Sequence, residues 1–590
     1  MMNVSLRSVG AVCALTLLLL TTDGCRRHRK TTSAPNTDAY AGQLHDLVVK
    51  KQLPAEKVDL KEVPNLRWPD FSDYQTIVNQ FYDDRNYEVA WTRDGAPTAS
   101  ATAFIQAFQD AGAKGLIPDD YDAPRWAARV EALKSNSPDA LSLFDVAMTV
   151  NVMRYISDLR IGRVNPSHFN FDVNVADKKY DLAEFVSDHA VDATDVPKLI
   201  QGVEPDSEQY RKTEAALAKY IELSKKQDAD VALPLATVPK PVAVGGTYPE
   251  LPQLVARLQL EGDLADGVAA PAVYDQTVSD GVRSYQHRHG LLEDGKLTAE
   301  TIKNINVPLA YRVTQLQDSL ERWRWLPDQY LNARLIVNLP EFVLRGYTPE
   351  HKVDFTMRVV VGKVIGQHET PVFAHMMKYI VFRPYWNVPL SIARGELAPH
   401  MASSPGYLSS KNFEVTDSKG ALLTSYSAKE VAQGGVMVRE RPGPKNSLGL
   451  VKFMFPNEYN IYLHSTPAVS LFEQTRRDFS HGCIRVQKPA DLAAWVLNTQ
   501  PGNDWDLEKV QAAMNGGPDN RTVTLKDQLP IVIFYVTGLV EDDGHIHFFD
   551  DIYGYDSAMQ KVIDKGPPYP IKPGPAVPKS AAKTAGGDTV

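Results

Sequence analysis

The chain has 590 residues, 43% hydrophobic and 23% charged, with a formal net charge of −9. That length implies about three or four domains, and the composition permits ordinary globular cores. The acidic balance excludes a chain built to hold nucleic acid, which would carry a basic stripe, and after residue 30 no stretch approaches the ~20 consecutive apolar residues that span a bilayer.

Arg7 precedes an apolar run, Val9 to Leu20, and the segment ends at Gly24-Cys25. A charged start followed by an apolar core of about 12 residues is the pattern of a secretory signal. Gly24-Cys25 also resembles a bacterial lipoprotein cleavage site, with Thr22 where an aliphatic residue is usual. The basic run Arg26-Arg27-His28-Arg29-Lys30 opposes export under the positive-inside rule. The reading is nevertheless a signal over 1–25, with anchoring through Cys25 as one outcome. Of three cysteines, Cys13 lies in the signal core, Cys25 at its end and Cys483 far away. An exported chain normally pairs its cysteines, so a lone thiol at 483 points to a role of its own.

Residues 26–65 read as a tether. A helical pattern runs over 66–225, clearest at Leu141 to Leu159 and at Ala103 to Ala111, the latter ended by Gly115-Leu-Ile-Pro-Asp-Asp-Tyr121. The Pro/Val/Ala-rich stretch 226–247 is a linker. A small helical module follows at 248–308: one helix ends near Gly290, Asp294-Gly295 turns, and Thr298 caps the next helix. Beyond a helix at 309–325 the texture becomes β. Leu335 to Leu339, Phe342 to Leu344, Phe355 to Val361, Tyr379 to Phe382, Asn460 to Leu463 and Ile531 to Val536 are short, β-branched and aromatic. An insertion at about 391–433 interrupts them, long enough to be a functional lid. Residues 566–590 carry Pro, Ala and Lys without a pattern and are expected to be disordered.

The chemistry concentrates in Ser480-His481-Gly482-Cys483-Ile484-Arg485, with His464 upstream in Tyr462-Leu463-His464. A thiol attacks as thiolate, so an imidazole nearby raises the reactive fraction. Fifteen residues separate His464 from Ser480, enough to loop out and bring two strand ends together. Gly482 permits close backbone approach. In an extended segment, Arg485 shares a face with Cys483, where its cation favours thiolate, holds a peptide carboxylate, or pairs with a core acid. Two plainer readings stand beside this one. A free cysteine often packs as a small apolar group, and His464, His481 and Cys483 offer three zinc ligands without an evident fourth.

The pattern of His464, the spacer and Ser-His-Gly-Cys-x-Arg is similar to the signature of the L,D-transpeptidase catalytic domain. Pro384-Tyr-Trp-Asn-Val-Pro389 and Pro442-Gly-Pro-Lys-Asn-Ser-Leu-Gly449 strengthen the likeness. Gly115-Leu-Ile-Pro-x-x-Tyr121 and Gly162-Arg-Val-Asn-Pro166 resemble the scaffold of the large subclass, which adds a peptidoglycan-binding module and a capping subdomain. Tyr285, Gln286, Gly290, Leu291, Asp294, Gly295 and Thr298 resemble that module, with Leu297 where a second glycine is usual.

The resemblance implies a multidomain α+β chain. Its all-β, sandwich-like catalytic domain spans 309–555 and carries a capping insertion, beside a helical scaffold and a three-helix module whose Tyr285, Gln286 and Asp294 would serve wall binding. It implies Cys483 as nucleophile and His464 as base. The N–H of Cys483, aided by Gly482 or His481, would supply the oxyanion hole; Ser480 and Arg485 would position the substrate, and Tyr462 and Trp386 would line the cleft. The implied reaction is 3-3 cross-linking of peptidoglycan tetrapeptide stems in the periplasm or cell envelope, through a thioester open to carbapenems. No cofactor or metal is expected, and glycan synthases and D,D-carboxypeptidases are the implied collaborators. L,D-carboxypeptidase activity, attachment of a lipoprotein to the wall, and a non-catalytic wall-binding scaffold are the alternatives.

Overall fold

A computed structural model describes residues 66–570, apart from 170, 231, 232, 365–367, 405 and 543. The expected signal with Cys13 and Cys25, the tether at 26–65 and the tail from 571 lie outside the described residues. Among those described, no helix is long and apolar enough to cross a membrane.

The first body is helical: α1 (Gln75–Asp84), α2 (Ala99–Gln109), α3 (Trp126–Leu133), α4 (Pro138–Ile161) and α5 (Val196–Val203). The α4 helix starts where Ser137 accepts the Ala140 N–H and Pro138 sets the first turn. It is buried on nearly every side, so it is the axis of this body. Its buried Asp145 is fully matched: it accepts the N–H groups of Ala90 and Trp91, each at 2.9 Å, and the Tyr82 hydroxyl at 2.8 Å.

Helix α6 (Glu208–Asp230) departs from the expected 66–225 unit. Its Tyr210, Leu217 and Tyr220 belong to the core of the β-rich body, where it packs along α10 (Leu309–Trp325). Between them in sequence lies the three-helix module, α7 (Leu251–Glu261), α8 (Gln276–Arg288) and α9 (Ala299–Ile305), with its own apolar core. Thr298 caps α9 by accepting the Thr301 N–H.

Helix α10 is the keel joining the bodies. Its buried Glu321 accepts the Arg163 and Val164 N–H groups, at 2.5 and 3.0 Å through Oε1, and the Arg163 Nε at 3.2 Å through Oε2. Arg324 donates to the Lys114 carbonyl. The two scaffold-like motifs, at 115–121 and 162–166, therefore grip α10 from the helical side.

The β-rich body is built from β1 (Leu335–Asn338), β2 (Val343–Tyr347), β3 (Val353–Gly362), β4 (Phe373–Phe382), β5 (Val451–Met454), β6 (Leu463–His464), β7 (Asp478–Ser480), β8 (Ile484–Val486) and β9 (Arg521–Phe534). The order is β7-β3-β8-β6-β5-β4-β9-β1-β2, and β2 also pairs with β3. The sandwich-like body is thus one sheet closed on itself through the β2–β3 pairing, with β7 paired on one side only. Its interior is filled by side chains such as Val359, Ile380, Phe453, Leu463, Ile484 and Ile533.

The cap interrupts the sheet between β4 and β5. It extends beyond the expected 391–433, because a small sheet of Trp386–Asn387, Met437–Glu440 and Phe413–Thr416 forms its base. Its own apolar cluster runs from Ala393 to Val438. The buried Asn446 ties the base together, donating to the carbonyls of Arg441 at 2.9 Å and Pro384 at 3.4 Å.

The start of the expected disordered tail is folded. Gly566 lies against the Trp68 indole with no room for a Cβ, and Tyr569 packs on the main core. The aromatic partners that order this stretch are remote in sequence, so its local composition conceals them.

Candidate active site

Strands β6 and β8 run parallel, with Leu463 opposite Ile484 and His464 opposite Arg485. This register places the histidine at one strand end beside the turn that delivers Cys483. His464 is 4% exposed, and its Nδ1 lies 2.5 Å from the Ser465 carbonyl oxygen. A carbonyl only accepts, so Nδ1 carries the hydrogen and Nε2 keeps a free lone pair. Burial, with Arg485 nearby, pushes the imidazolium down to about 3 against the pull of the Ser465 and Leu448 carbonyls. The ring is therefore neutral at pH 7.

Cys483 is half-buried, and its thiol donates weakly to the Asn460 carbonyl at 3.7 Å. Burial pushes the thiol up to about 11, opposed by the backbone and side chain of Tyr462 and by Arg485 and Lys452. The resting site thus holds a neutral thiol and a neutral imidazole. A neutral imidazole is the form suited to general base catalysis.

The turn itself is held by polar bonds. Ser480 Oγ donates to the Cys483 carbonyl at 2.6 Å and accepts the Gly482 N–H at 3.1 Å. Gly482 has φ +116, and a Cβ there would come within 3.2 Å of Ile461, so the position needs glycine. Thr370 Oγ1 accepts the Gly362 N–H at 2.9 Å and donates to the Gly482 carbonyl at 2.7 Å. The Cys483 N–H has no hydrogen-bond partner among the described residues, which leaves it for an oxyanion. Gly482 cannot share that task as expected, since Ser480 already holds its N–H.

Comparison with known proteins follows the same lines. Residues 332–525 match the family model of the L,D-transpeptidase catalytic domain, and residues 76–217 match that of the Scaffold domain. The chain carries an L,D-transpeptidase catalytic domain. A Haemophilus influenzae protein named "Putative L,D-transpeptidase" is 30% identical over 247 residues, covering 41% of this chain and 48% of its own length. The chain thus spans about half the length of that relative. A crystal structure of the L,D-transpeptidase (residues 123–326) from Xylanimonas cellulosilytica aligns at 14% identity with TM-score 0.15, over 51% of this chain and all of that one.

Around the L,D-transpeptidase thiol, Tyr462 stands beside the sulfur, its ring 5.8 Å from that of His464 and beneath the Lys452 ammonium. Arg485 is half-buried, and its Nε has no hydrogen-bond partner among the described residues. The core-acid role weighed for Arg485 finds no such acid among them. His481 Nε2 is 2.9 Å from Glu396 Oε1 of the cap. Among the described residues, no three His, Cys, Asp or Glu side chains converge as metal ligands.

Trp386 belongs to the base of the cap, paired with Glu440 and packed on Phe413. One expectation needs correction. Tyr285 and Gln286, expected to bind the wall, are buried at 0% and 1% exposure. Tyr285 donates to Asn304, while Gln286 closes the turn by accepting the Gly295 N–H and donating to the Lys296 carbonyl. Asp294 caps the same turn through the Lys296 N–H. These residues fold the module, and the motif reflects that need.

Thr370, Asn460, Glu396 and His368 were not found from the sequence. Each lies outside the Cys483 motif and is brought in by the fold, without a local pattern to mark it.

Proposed function

We propose that this chain is an exported acyltransferase that joins peptidoglycan stems through a Cys483 thioester, forming 3-3 cross-links in the cell envelope. Cys483 attacks the carbonyl of the third stem residue, diaminopimelate, and expels the terminal D-alanine. His464 Nε2 takes the thiol proton and passes it to the leaving amine. The Cys483 N–H faces the developing oxyanion. The side-chain amine of a second stem then attacks the thioester, and the cap limits water at that stage. Arg485, lacking an acid partner among the described residues, is suited to a substrate carboxylate. Glycan synthases and D,D-carboxypeptidases would prepare the tetrapeptide donor.

The observation that carries this reading is the single tautomer imposed on His464 by the Ser465 carbonyl beside the β8 end that bears Cys483. Carbapenem labelling followed by intact-protein mass spectrometry tests it. One adduct is expected on the native chain and none on Cys483→Ala; no adduct on either favours the wall-binding scaffold. Purified tetrapeptide disaccharides then separate the chemistries. Cross-linked dimers support transpeptidation, tripeptide alone supports a carboxypeptidase, and a product with an added lipoprotein but no dimer supports wall attachment.

A further inference from the structure

The turn that bears the thiol carries a second imidazole, His481, two residues before Cys483, and it is built unlike the first. His481 Nε2 meets Glu396 Oε1 at 2.9 Å, and both side chains reach solvent, at 31% and 53% exposure. A carboxylate accepts, so in the neutral ring Nε2 carries the hydrogen and Nδ1 presents its lone pair. The two groups come from different parts of the fold: His481 from the catalytic turn, Glu396 from the cap segment Ala393–Leu397. Among the described residues, His368 also packs on His481, ring to ring at 4.8 Å, with Lys363 acting on His368 in turn.

The reaction proposed above makes two different demands for proton transfer. In the first half, one proton circulates from the thiol through His464 to the leaving amine and stays within the site. In the second half, the acceptor arrives as an ammonium, since an alkylamine titrates near ~10, and must shed a proton to solution before it can attack. His464 is poorly made for that. It is 4% exposed, backed by a neutral carbonyl, and held far from the charged state by burial and Arg485. His481 reaches solvent and has the Glu396 carboxylate at 2.9 Å.

We propose that His481 is the base that deprotonates the acceptor amine, and that Glu396 orients it and attracts the incoming ammonium. This rests on the acyl-transfer reading and deepens it by naming the acceptor subsite, whose ligand class is a primary alkylammonium. The ammonium gives one proton to His481 Nδ1, and the imidazolium, paired with Glu396, returns it to water. The nitrogen lone pair then forms the C–N bond at the thioester carbonyl. Collapse of the tetrahedral adduct breaks the C–S bond, and the electron pair goes to sulfur. The second N–H proton passes to His464 and from it to the thiolate, which restores the thiol. Because Glu396 rides on the cap, acceptor binding and cap seating share one contact.

The full chain is acylated with a tetrapeptide stem whose own side-chain amine is acetylated, so that it serves only as donor. The thioester is then chased with either of two acceptors, a tetrapeptide stem or hydroxylamine, the latter already neutral at pH 7. For Glu396→Gln and His481→Gln, amide formation with the stem is expected to fall ~100-fold relative to the unaltered chain, with the loss with hydroxylamine under about 3-fold. In His481→Gln, stem aminolysis should climb about tenfold per pH unit up to the amine pKa, whereas the unaltered chain levels off earlier. Equal losses with both acceptors would reduce the pair to a latch for the cap and overturn the proposal, as would no loss with either. If no thioester forms on the unaltered chain, the acyl-transfer reading fails and this one with it; a thioester indifferent to both substitutions defeats this one alone.

Discussion

Thr370 donates its hydroxyl hydrogen to the Gly482 carbonyl at 2.7 Å, across 112 residues of sequence. The same oxygen accepts the Gly362 N–H, and the Tyr553 hydroxyl donates to the Gly362 carbonyl at 2.7 Å. The turn bearing the nucleophile is thereby fixed to β3 and to the C-terminal part of the chain. Thr370→Val keeps the shape but strands two buried polar groups, at a cost of about 1–3 kcal/mol. Urea unfolding should register that loss. Acylation should slow even where the variant is fully folded, because the Gly482 peptide is no longer held.

The neutral thiol makes a specific pH profile. With Cys483 pushed up to about 11, alkylation by iodoacetamide without substrate should be slow at pH 7 and climb about tenfold per pH unit toward that value. Acylation by substrate should instead stay flat from pH 5 to 9, since His464, held near 3, remains a neutral base throughout. A plateau of alkylation near pH 7 would mean a preformed thiolate and would refute this profile.

Tyr462 acts on the sulfur through both backbone and side chain, each favouring the thiolate. Tyr462→Phe removes the side-chain part alone. A hydrogen bond to a charged group contributes about 1.5–3 kcal/mol, so acylation should slow by roughly 10–100-fold. Thermal melting should barely change, and single-turnover acylation followed by mass spectrometry separates the two.

Glu321 is fully buried and holds both the backbone and the guanidinium of the Arg163 segment. Arg324 lies 3.7 Å from the same carboxylate. Glu321→Gln leaves buried guanidinium groups without their counter-charge, a loss of about 3–5 kcal/mol. Denaturant melts should show it, and limited proteolysis should cut near 162–166 first, where the helical body meets α10.

His289 is fully buried at the end of α8, stacked 3.9 Å from Tyr285 and 5.8 Å from Phe548. Burial, then Arg312, Arg288, Arg257 and His547, hold its imidazolium far below the usual range. In the unfolded chain the ring protonates near 6.5, so its contribution is fully present above that pH and is lost as pH falls toward the depressed folded value. His289→Leu removes this dependence. The difference in stability between the two chains should shift against the native one by up to about 1.4 kcal/mol per pH unit below 6.5. Asp158 and Glu214, both raised to about 7, gain stability on acidification, but equally in the two chains. Urea melts at pH 7.5 and 5.0 provide the comparison.

The thiol and His464 were legible because their chemistry is concentrated in short local patterns, and the strands around them because β1 and the ends of β4 and β9 are apolar runs and β3 alternates before its own apolar end. The first half of β9, Arg521 to Gln528, is polar and mostly exposed, so no period marks it as strand; it exists because β4 lies alongside. Strands β5 and β7 are too short to show a period. Helix α6 has a polar face that reads alike whichever body it joins, and only packing decides. Glu396 and Thr370 are ordinary residues in sequence, and their importance arises from what the closed sheet and the cap set beside them. Tyr285 and Gln286 illustrate the opposite error, in which a recurrent motif records the demands of a turn.

The contact between Trp68 and Gly566 has a practical reading for anyone who builds on this chain. The two ends of the described body lie within a few residues of one spot. A short peptide bridge there would give a circular chain, and new ends could then be opened at the Asp417–Gly420 turn of the cap. A pair of fluorophores at surface positions flanking Trp68 and Gly566 would report whether that seam holds.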